Sequence, residues 1–251
     1  MSTTYNLILS GGGARAYAQL GAIKALNENN FIFNAISGTS AGAVVGAFYC
    51  DGFSVEEIIE LVSKNNSFLN FNYSLNKGFL SNEKLDKFLK KNLRSTEFEA
   101  LKHPLFVSAT NLNDGTQRIF NSGKIIDTLL AATSIPILYK PIWIDGIPYG
   151  DGAISSNLPV EPFYNSEFKS IGIHVNPIAK FDSDDNIGKQ LERLFHLCVK
   201  ETTFKNTNKV SLFIEPPELS QYGIFDFKKI NEIIDIGYNY TLKLLQQLPV
   251  S

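Results

Sequence analysis

The order of apolar and polar positions in the first fifty residues predicts alternating strands and helices. Residues 5–9 form a short apolar run that ends at three glycines, which is typical of a strand entering a tight turn. Residues 16–27 carry apolar side chains at helical spacing. A second apolar run at 31–36 leads through another glycine turn to a helix of small residues at 43–49. This strand–helix–strand–helix order favours an α/β fold with a parallel sheet and helices on its faces.

The rest of the chain continues with local signals of the same kind. Ser54 and Glu57 form a capping box that predicts the start of a helix, and the apolar runs on either side of Asn113-Asp114-Gly115 predict a hairpin. The other predicted elements are a helix that begins at Ser81, helices at 125–132, 187–205 and 227–248, a turn within 142–149, and strands at 170–175 and 210–214. The chain contains no internal repeat and no linker-like stretch, so we interpret residues 1–251 as a single domain.

Composition and charge exclude several classes of protein. Hydrophobic residues make up 44% of the 251 positions and charged residues 19%, which is the balance of a packed globular chain. The 23 basic residues are matched by 25 acidic ones, for a net charge of −2, so no basic excess favours binding to nucleic acid. We therefore expect no nucleic-acid partner.

The cysteines and the N-terminus indicate a cytoplasmic protein. Cys50 and Cys198 stand in apolar surroundings outside any CxxC or Cys/His cluster, so we expect neither a disulfide framework nor a metal site. Residues 1–9 lack the basic and apolar regions of a secretory signal. Residues 31–50 carry no charge over the length of a membrane-crossing helix, but the polar and glycine residues at their centre predict a turn instead.

A serine at the end of the second predicted strand is the first candidate for catalysis. Gly38-Thr39-Ser40-Ala41-Gly42 fits the pattern G-x-S-x-G, in which a tight turn between a strand and a helix exposes a serine. Glycines are needed beside the serine because the turn leaves no room for β-carbons, and the following helix directs its free N–H groups toward the nucleophile. Its place between a predicted strand and a predicted helix makes Ser40 the expected nucleophile.

The glycines after the first strand have two competing interpretations. Gly11, Gly13 and Ala16 match the dinucleotide fingerprint G-x-G-x-x-[GA], which requires an acidic residue at the end of the next strand to hold the ribose. Residues 31–37 contain no acidic residue. Consecutive glycines also suit an oxyanion hole, because their N–H groups approach a developing negative charge without side chains in the way. We therefore favour an oxyanion hole at Gly11, Gly12 and Gly13.

A nucleophilic serine needs a base, and the sequence offers a histidine or an aspartate. His174 lies within a predicted strand and His196 shares a predicted helix with apolar residues, so a structural role is favoured for both over the base of a Ser-His-Asp triad. Asp151 stands between two glycines, where backbone packs closely and presents the carboxylate. An ordinary Asp-Gly turn is the alternative interpretation. A carboxylate is a weak base in water, so we expect a partly dehydrated site around Asp151.

Three motifs in this order resemble those of the patatin-like phospholipases. The family's patterns G-G-G-x-R, G-x-S-x-G and D-G-[AG] are matched by residues 11–15, by residues 38–42 and by Asp151-Gly152-Ala153. Residues 132–136 and Asn157-Leu158-Pro159 are also similar to family features. The resemblance therefore covers about residues 5–176.

This resemblance implies a three-layer α/β/α sandwich with a mainly parallel central sheet. It also implies a Ser–Asp dyad that hydrolyses acyl esters of lipids without a histidine. In that scheme Ser40 is the nucleophile and Asp151 is the group that takes its proton. The implied chemistry uses no metal and no cofactor.

The resemblance also assigns roles around the dyad. The backbone N–H groups of Gly12 and Gly13, together with that of Ala41, would hold the oxyanion, and Arg15 would support the glycine loop or attract a phosphate head group. The implied partner is a lipid or acyl-ester substrate, with transient contact to a membrane surface. An aromatic patch at residues 68–73 either touches lipid or packs beneath its loop.

Two other functions stay open from the sequence. One is a histidine-dependent esterase or thioesterase that acts on small soluble acyl esters. The other is a non-catalytic protein whose glycine loop and helix N-termini bind an anion or an acyl ligand.

Overall fold

The structure is a computed structural model that describes residues 3–65, 81–178, 180–181, 183 and 187–248. The aromatic patch predicted at residues 68–73 lies outside the described residues. The strands are β1 Thr3–Leu9, β2 Phe31–Thr39, β3 Leu105–Asn111, β4 Gln117–Phe120, β5 Ile142–Ile144, β6 Ile147–Asp151, β7 Ser170–Ile173 and β8 Leu212–Ile214. The α-helices are α1 Tyr17–Glu28, α2 Ala41–Cys50, α3 Val55–Lys64, α4 Glu83–Asn92, α5 Ile125–Ala132, α6 Ile187–Thr207 and α7 Ile230–Gln246.

The described strands form one sheet with a parallel centre. Their order is β5-β6-β3-β2-β1-β7-β8, with β4 also paired to β3. Strands β3, β2, β1, β7 and β8 run parallel to one another, whereas β4, β5 and β6 join through antiparallel pairs. Parallel neighbours need crossover connections, and α1 supplies the one between β1 and β2. The predicted α/β class with a mainly parallel sheet is confirmed.

Both faces of the sheet are covered. Along β1, Leu7 and Leu9 belong to the main core with residues of α1, α2 and α5, whereas Ile8 joins a smaller cluster that contains Leu158. Successive side chains of a strand point to opposite faces, so these two clusters lie on the two sides of the sheet. On the second side, the Asn206 side chain of α6 donates to the Leu158 carbonyl at 2.8 Å. This arrangement is the three-layer sandwich that the resemblance implies.

Several predicted elements agree with the structure in detail. The hydroxyl of Ser54 accepts the N–H of Glu57 at 3.1 Å, and the N–H of Ser54 donates to the Glu57 carboxylate at 2.7 Å, as the capping box requires. The predicted hairpin is the antiparallel pair of β3 and β4. Helix α4 begins at Glu83 rather than at Ser81, because the Ser81 hydroxyl accepts the N–H of Glu83 at 3.1 Å and lies outside the helix.

Two strand ends differ from the prediction because of contacts with distant segments. Strand β2 continues to Thr39, since it still pairs with β1 and β3 along its last residues. Strand β7 stops at Ile173, so the prediction that His174 lies inside a strand is wrong. The N–H of His174 still donates to the Ile214 carbonyl of β8 at 2.9 Å, but the N–H of Val175 donates to the Ser10 hydroxyl at 3.1 Å instead of to a strand carbonyl.

The uncharged stretch at residues 31–50 comprises β2, the serine turn and α2, as the sequence predicts. Among the residues that the structure describes, no helix is both long enough and apolar enough to cross a membrane. Cys50 is buried and Cys198 is exposed on α6.

Strand β6 enters the sheet where β2 stops. Strand β3 pairs with β2 up to Ser108, which lies opposite Thr39, and the next residue, Ala109, lies opposite Asp151 of β6. Strand β4 occupies the other edge of this part of β3. Strand β6 therefore continues the position of β2, and Asp151 comes beside the carboxyl end of β2, where Ser40 follows.

The chain beyond residue 177 extends the sheet and closes the main core. Strand β8 pairs in parallel with β7, and α7 packs against α1. A Cβ atom at Gly237 would lie 1.9 Å from the Ala18 carbonyl oxygen, and one at Gly21 would lie 2.0 Å from the Ile234 carbonyl oxygen. Glycine at both positions is what allows these two helices to approach so closely.

Candidate active site

Ser40 occupies a strained turn between β2 and α2. Its backbone has φ 52° and ψ −128°, which L-residues other than glycine rarely adopt, and it precedes the first residue of α2. The first turn of α2 is pressed against the end of β1, because a Cβ atom at Gly42 would lie 2.4 Å from the Ser10 carbonyl oxygen. The predicted elbow is therefore present. Its serine is 8% exposed at the N-terminus of the helix.

The side chains of Ser40 and Asp151 meet directly. Ser40 Oγ donates a hydrogen bond of 2.6 Å to Asp151 Oδ2, and the N–H of Ala153 donates to Asp151 Oδ1 at 2.8 Å. The backbone of Asp151 is fixed as well, since its N–H donates to the Ser134 carbonyl at 2.8 Å and its carbonyl accepts the Thr110 hydroxyl at 2.8 Å. The carboxylate is thus held on both sides, with one oxygen directed at the serine.

Burial makes Asp151 more basic than an ordinary carboxylate. It is 1% exposed, and removal from water raises its pKa to about 6, while the hydrogen bonds from Ser40 and Ala153 favour the anion and limit the rise. The expected dehydrated site is confirmed. A carboxylate with this pKa is mostly ionised at neutral pH and accepts a proton more readily than an exposed one.

The first glycine of the glycine loop is held by two asparagines. The N–H of Gly11 donates to Asn157 Oδ1 at 2.9 Å, and Asn176 Nδ2 donates to the Gly11 carbonyl at 2.6 Å. The N–H of Gly11 is therefore occupied within the protein, and the next two glycines supply the remaining donors of the loop.

Gly12, Gly13 and Ala41 carry N–H groups that make no hydrogen bond to another described residue. Gly13 has φ 54°, and a Cβ atom there would lie 2.3 Å from the Ile224 carbonyl oxygen, so glycine is required at this position. Gly13, Ser40 and Ala41 all line one cavity. Donors without protein acceptors beside a nucleophile are the arrangement that an oxyanion hole needs.

Arg15 is buried behind the glycine loop and is paired there. Its Nη2 lies 2.9 Å from Glu192 Oε1, and its Nε donates to the Tyr222 carbonyl at 2.6 Å. Burial lowers the pKa of Arg15, and the charges of Glu192 and Asp226 oppose that change. Of the two roles that the resemblance allows, these contacts fit support of the loop, because they tie it to α6.

The histidines of the alternative triad have other partners. His174 Nδ1 lies 2.6 Å from Glu215 Oε1, and its Nε2 faces the Asn157 side chain. His196 is partly buried, and this burial first, then the nearby charge of Arg15, lowers its pKa to about 3. The hydroxyl of Ser40 donates its hydrogen bond to Asp151 and not to a histidine ring.

An apolar cavity of about 140 Å³ opens beside the serine. Residues from α1, α2, α4 and the segment before α7 line it, among them Leu20, Val44, Leu85, Phe88 and Phe227. A second cavity of about 220 Å³ is lined by residues that include Asn157, His174, Asn176 and His196. Within the described part of the chain, His, Cys, Asp and Glu side chains form no group of three or more that suits a metal ion.

Asn176 and Glu215 are site residues that the sequence analysis did not single out. Each follows a strand that ends at the same edge of the sheet as β2, since β7 and β8 run parallel to it. Polar residues just beyond the carboxyl ends of parallel strands are a known signal of a site, and that signal marks both positions.

Several curated proteins are similar to this chain over nearly its whole length. Lysophospholipase NTE1 of Pyricularia oryzae is 24% identical over 280 residues, which cover 96% of this chain and 18% of that protein. Lysophospholipase NTE1 of Saccharomyces cerevisiae is 24% identical over 275 residues, which cover 96% and 16%. The chain thus spans less than a fifth of the length of these relatives.

Solved structures share the fold. VipD from Legionella pneumophila superposes with a TM-score of 0.58 at 17% identity, over 96% of this chain and 66% of that one. Human GIVD cytosolic phospholipase A2 gives a TM-score of 0.53 at 11% identity, over 98% and 59%. The model of the family described as patatin-like phospholipase matches residues 7–164 and so includes the glycine loop, the serine turn and Asp151. By this match, the chain belongs to the patatin-like phospholipase family.

Proposed function

We propose that this protein is a serine acyl hydrolase that cleaves carboxylic ester bonds of lipids through Ser40 and Asp151. The observation that carries the proposal is the 2.6 Å hydrogen bond from Ser40 Oγ to a buried carboxylate whose pKa is raised to about 6. Family membership and the names of the related lysophospholipases support the same reaction class.

The reaction follows from these groups in two halves. Ser40 Oγ attacks the ester carbonyl carbon while its proton passes to Asp151 Oδ2, and the N–H groups of Gly12, Gly13 and Ala41 hold the oxyanion. Collapse of this intermediate expels the alcohol, which takes the proton from Asp151. A water molecule then attacks the acyl-serine with Asp151 again as base, and the fatty acid leaves as the Ser40 hydroxyl reforms.

The cavity beside Ser40 supports a lipid substrate. Its lining is almost entirely apolar, so it favours an acyl chain over a polar group. We propose that the acyl chain of the ester lies there, with the head group toward solvent. The lysophospholipase names of the relatives make single-chain phospholipids the first substrates to test.

We further propose that residues 1–251 act as one catalytic domain in the cytoplasm and touch membranes transiently. The single sheet, to which β8 contributes, supports one domain. The exposed side chain of Ile137 supports the membrane contact. Ile137 is 84% exposed with φ 73°, which is strained for a β-branched residue, and it lies between Ile135 and Tyr139, which line the apolar cavity.

Binding to phosphatidylcholine vesicles tests the membrane contact. We expect Ile137→Asn to weaken vesicle binding and to leave hydrolysis of a water-soluble short-chain ester unchanged. Trp143→Ser is the matched control, because Trp143 is also exposed, at 67%, and does not line the cavity. Equal losses in both variants, or none in either, would contradict a contact through Ile137.

A fluorophosphonate probe with an ester and lysophospholipid panel tests the reaction. Wild type should be labelled and should hydrolyse the panel, whereas Ser40→Ala should do neither, and Ser220→Ala should behave as wild type. Labelling or turnover that survives in Ser40→Ala would refute the proposal. A histidine-dependent esterase would instead lose all activity in His174→Ala or His196→Ala. A non-catalytic binding protein would show a retained ligand by native mass spectrometry and no turnover.

A further inference from the structure

The side chain of Asn157 links the glycine loop to His174. Its Oδ1 accepts the N–H of Gly11 at 2.9 Å, and this bond fixes the orientation of the amide. Its Nδ2 then faces His174 Nε2 at 3.5 Å, a long contact between two buried side chains. An amide NH₂ group only donates, so His174 Nε2 must present its lone pair to it.

The other ring nitrogen of His174 is held by a carboxylate. Nδ1 lies 2.6 Å from Glu215 Oε1, and a carboxylate only accepts, so Nδ1 carries the proton. The two contacts together select one tautomer of the neutral ring. The ring also stacks on Phe213, with centroids 6.1 Å apart and planes inclined by 23°. Hydrogen bonding and packing therefore both fix the orientation of His174.

The end of this chain of contacts lies at the nucleophile. Gly11 is held by Asn157 at its N–H and by Asn176 at its carbonyl, and a Cβ atom at Gly11 would lie 2.9 Å from the Cβ of Ser40. The residues that follow are the glycines whose N–H groups are available for the oxyanion. A change in the backbone torsion angles at Gly11 would therefore move those N–H donors relative to Ser40 Oγ.

We propose that His174 is a positioning residue of the glycine loop and acts through Asn157, with Glu215 fixing its Nδ1–H tautomer. This inference rests on the proposed function, because it assigns the loop a role in holding the oxyanion. It also gives His174 a role other than that of a base. The proton transfer from Ser40 to Asp151 does not pass through His174.

The tautomer is tested in the wild-type protein. The chain has three histidines, so ¹⁵N-histidine labelling gives few signals to assign. We expect neutral His174 to carry its proton on Nδ1, and Asn157→Leu to shift the Nε2 resonance of His174 while that of His103 stays in place. A proton on Nε2 of the neutral ring, or an unchanged resonance in Asn157→Leu, would overturn the link.

The kinetic role is tested with His174→Phe, which keeps a ring against Phe213 and removes both nitrogens. We expect kcat to fall about tenfold with KM little changed, as is typical when a residue that orients a catalytic group is lost. Ser40 should still react with the fluorophosphonate. His174→Gln, which retains a donor and an acceptor, should recover part of kcat. His196→Phe is the matched control in the same cavity and should leave kcat unchanged.

A double-mutant comparison tests the route through Asn157. If His174 acts only through that residue, the His174→Phe/Asn157→Leu double variant should have the kcat of Asn157→Leu alone. Additive losses, or a wild-type kcat in His174→Phe, would overturn the inference and leave the proposed hydrolase intact. Loss of all labelling in a folded His174→Phe would instead identify a histidine base and refute the Ser–Asp mechanism as well.

Discussion

Replacing Asp151 by asparagine tests the proposed catalytic role of the carboxylate and measures its cost to the stability of the fold. The side chain is 1% exposed and its hydrogen-bond partners are the Ser40 hydroxyl and the N–H of Ala153. Asparagine has nearly the same shape. Its Oδ1 can accept the N–H of Ala153 and its Nδ2 can donate to Ser40 Oγ, so both contacts remain while the buried charge disappears.

The magnitude follows from the pKa of Asp151. A carboxyl whose pKa rises from 3.8 to about 6 on folding destabilises the folded state, when ionised, by about 3 kcal/mol. At a pH between these two pKa values, the Asp151 carboxyl keeps its proton in the folded chain but has released it in the unfolded chain. The contribution of Asp151 to the stability of wild type therefore falls as pH rises through this window, and its full destabilising effect is present above about pH 6. The asparagine variant has no such loss.

Urea unfolding of both proteins at acid and neutral pH measures this cost. We expect Asp151→Asn to gain about 2–3 kcal/mol relative to wild type between about pH 4 and pH 7.5, because other titrating groups cancel in the comparison. At neutral pH this corresponds to a rise in melting temperature of about 6–12 °C for a chain of this size. Ester hydrolysis by the variant should be lost. A difference in stability that does not change with pH would refute a raised pKa for Asp151.

Three further outcomes are expected. The value of kcat/KM should rise with pH and level off above about pH 6, since Asp151 must be ionised to accept the proton. A pH–rate profile whose rise is centred far from pH 6 would argue against that role. Gly13→Ala should lower the free energy of unfolding by more than about 1 kcal/mol and reduce kcat, because φ is 54° and its Cβ would meet the Ile224 carbonyl; urea unfolding and steady-state kinetics check both effects. Arg15→Met should lower the free energy of unfolding by about 3 kcal/mol, because it leaves the partly buried Glu192 carboxylate without its ion-pair partner. The Arg15→Met/Glu192→Leu double variant should recover most of that loss in the same unfolding assay; no recovery would show that the pair is not coupled.

The parts of the fold that local signals determine could be predicted from the sequence. Apolar runs that end at glycine turns predict β1, β2 and the serine elbow. The capping box and the Asn-Asp-Gly hairpin are likewise predicted from residues that are close together in the sequence. The end of β7 could not be placed in this way, because the apolar run continues through Val175. The strand stops earlier because the N–H of Val175 is bound by Ser10, which is distant in sequence.

The candidate site shows the same division. The motifs single out Ser40 and Asp151, whose side chains are hydrogen-bonded in the structure, and the sequence also predicts that the carboxylate is dehydrated. The partners of the glycine loop were not predictable, because Asn157 and Asn176 lie 146 and 165 residues from Gly11 along the chain. Likewise, the pairing of Arg15 with Glu192 depends on how α6 packs, which no local pattern specifies.

Sheet pairing explains how the side chains of Ser40 and Asp151 come into direct contact without a histidine between them. Thr39 and Asp151 lie opposite successive residues of the same edge of β3, Ser108 and Ala109, so the spacing of the sheet sets the distance between the Ser40 and Asp151 side chains. A Cβ atom at Gly152 would lie 2.1 Å from the Ser108 carbonyl oxygen, so the chain is also pressed onto β3 directly after the aspartate. The backbone that carries Ser40 and Asp151 is therefore held in place by pairing with β3. The glycine loop lies beyond the end of β1 and has no such pairing, and for this reason its geometry depends on side chains that reach it from elsewhere in the fold.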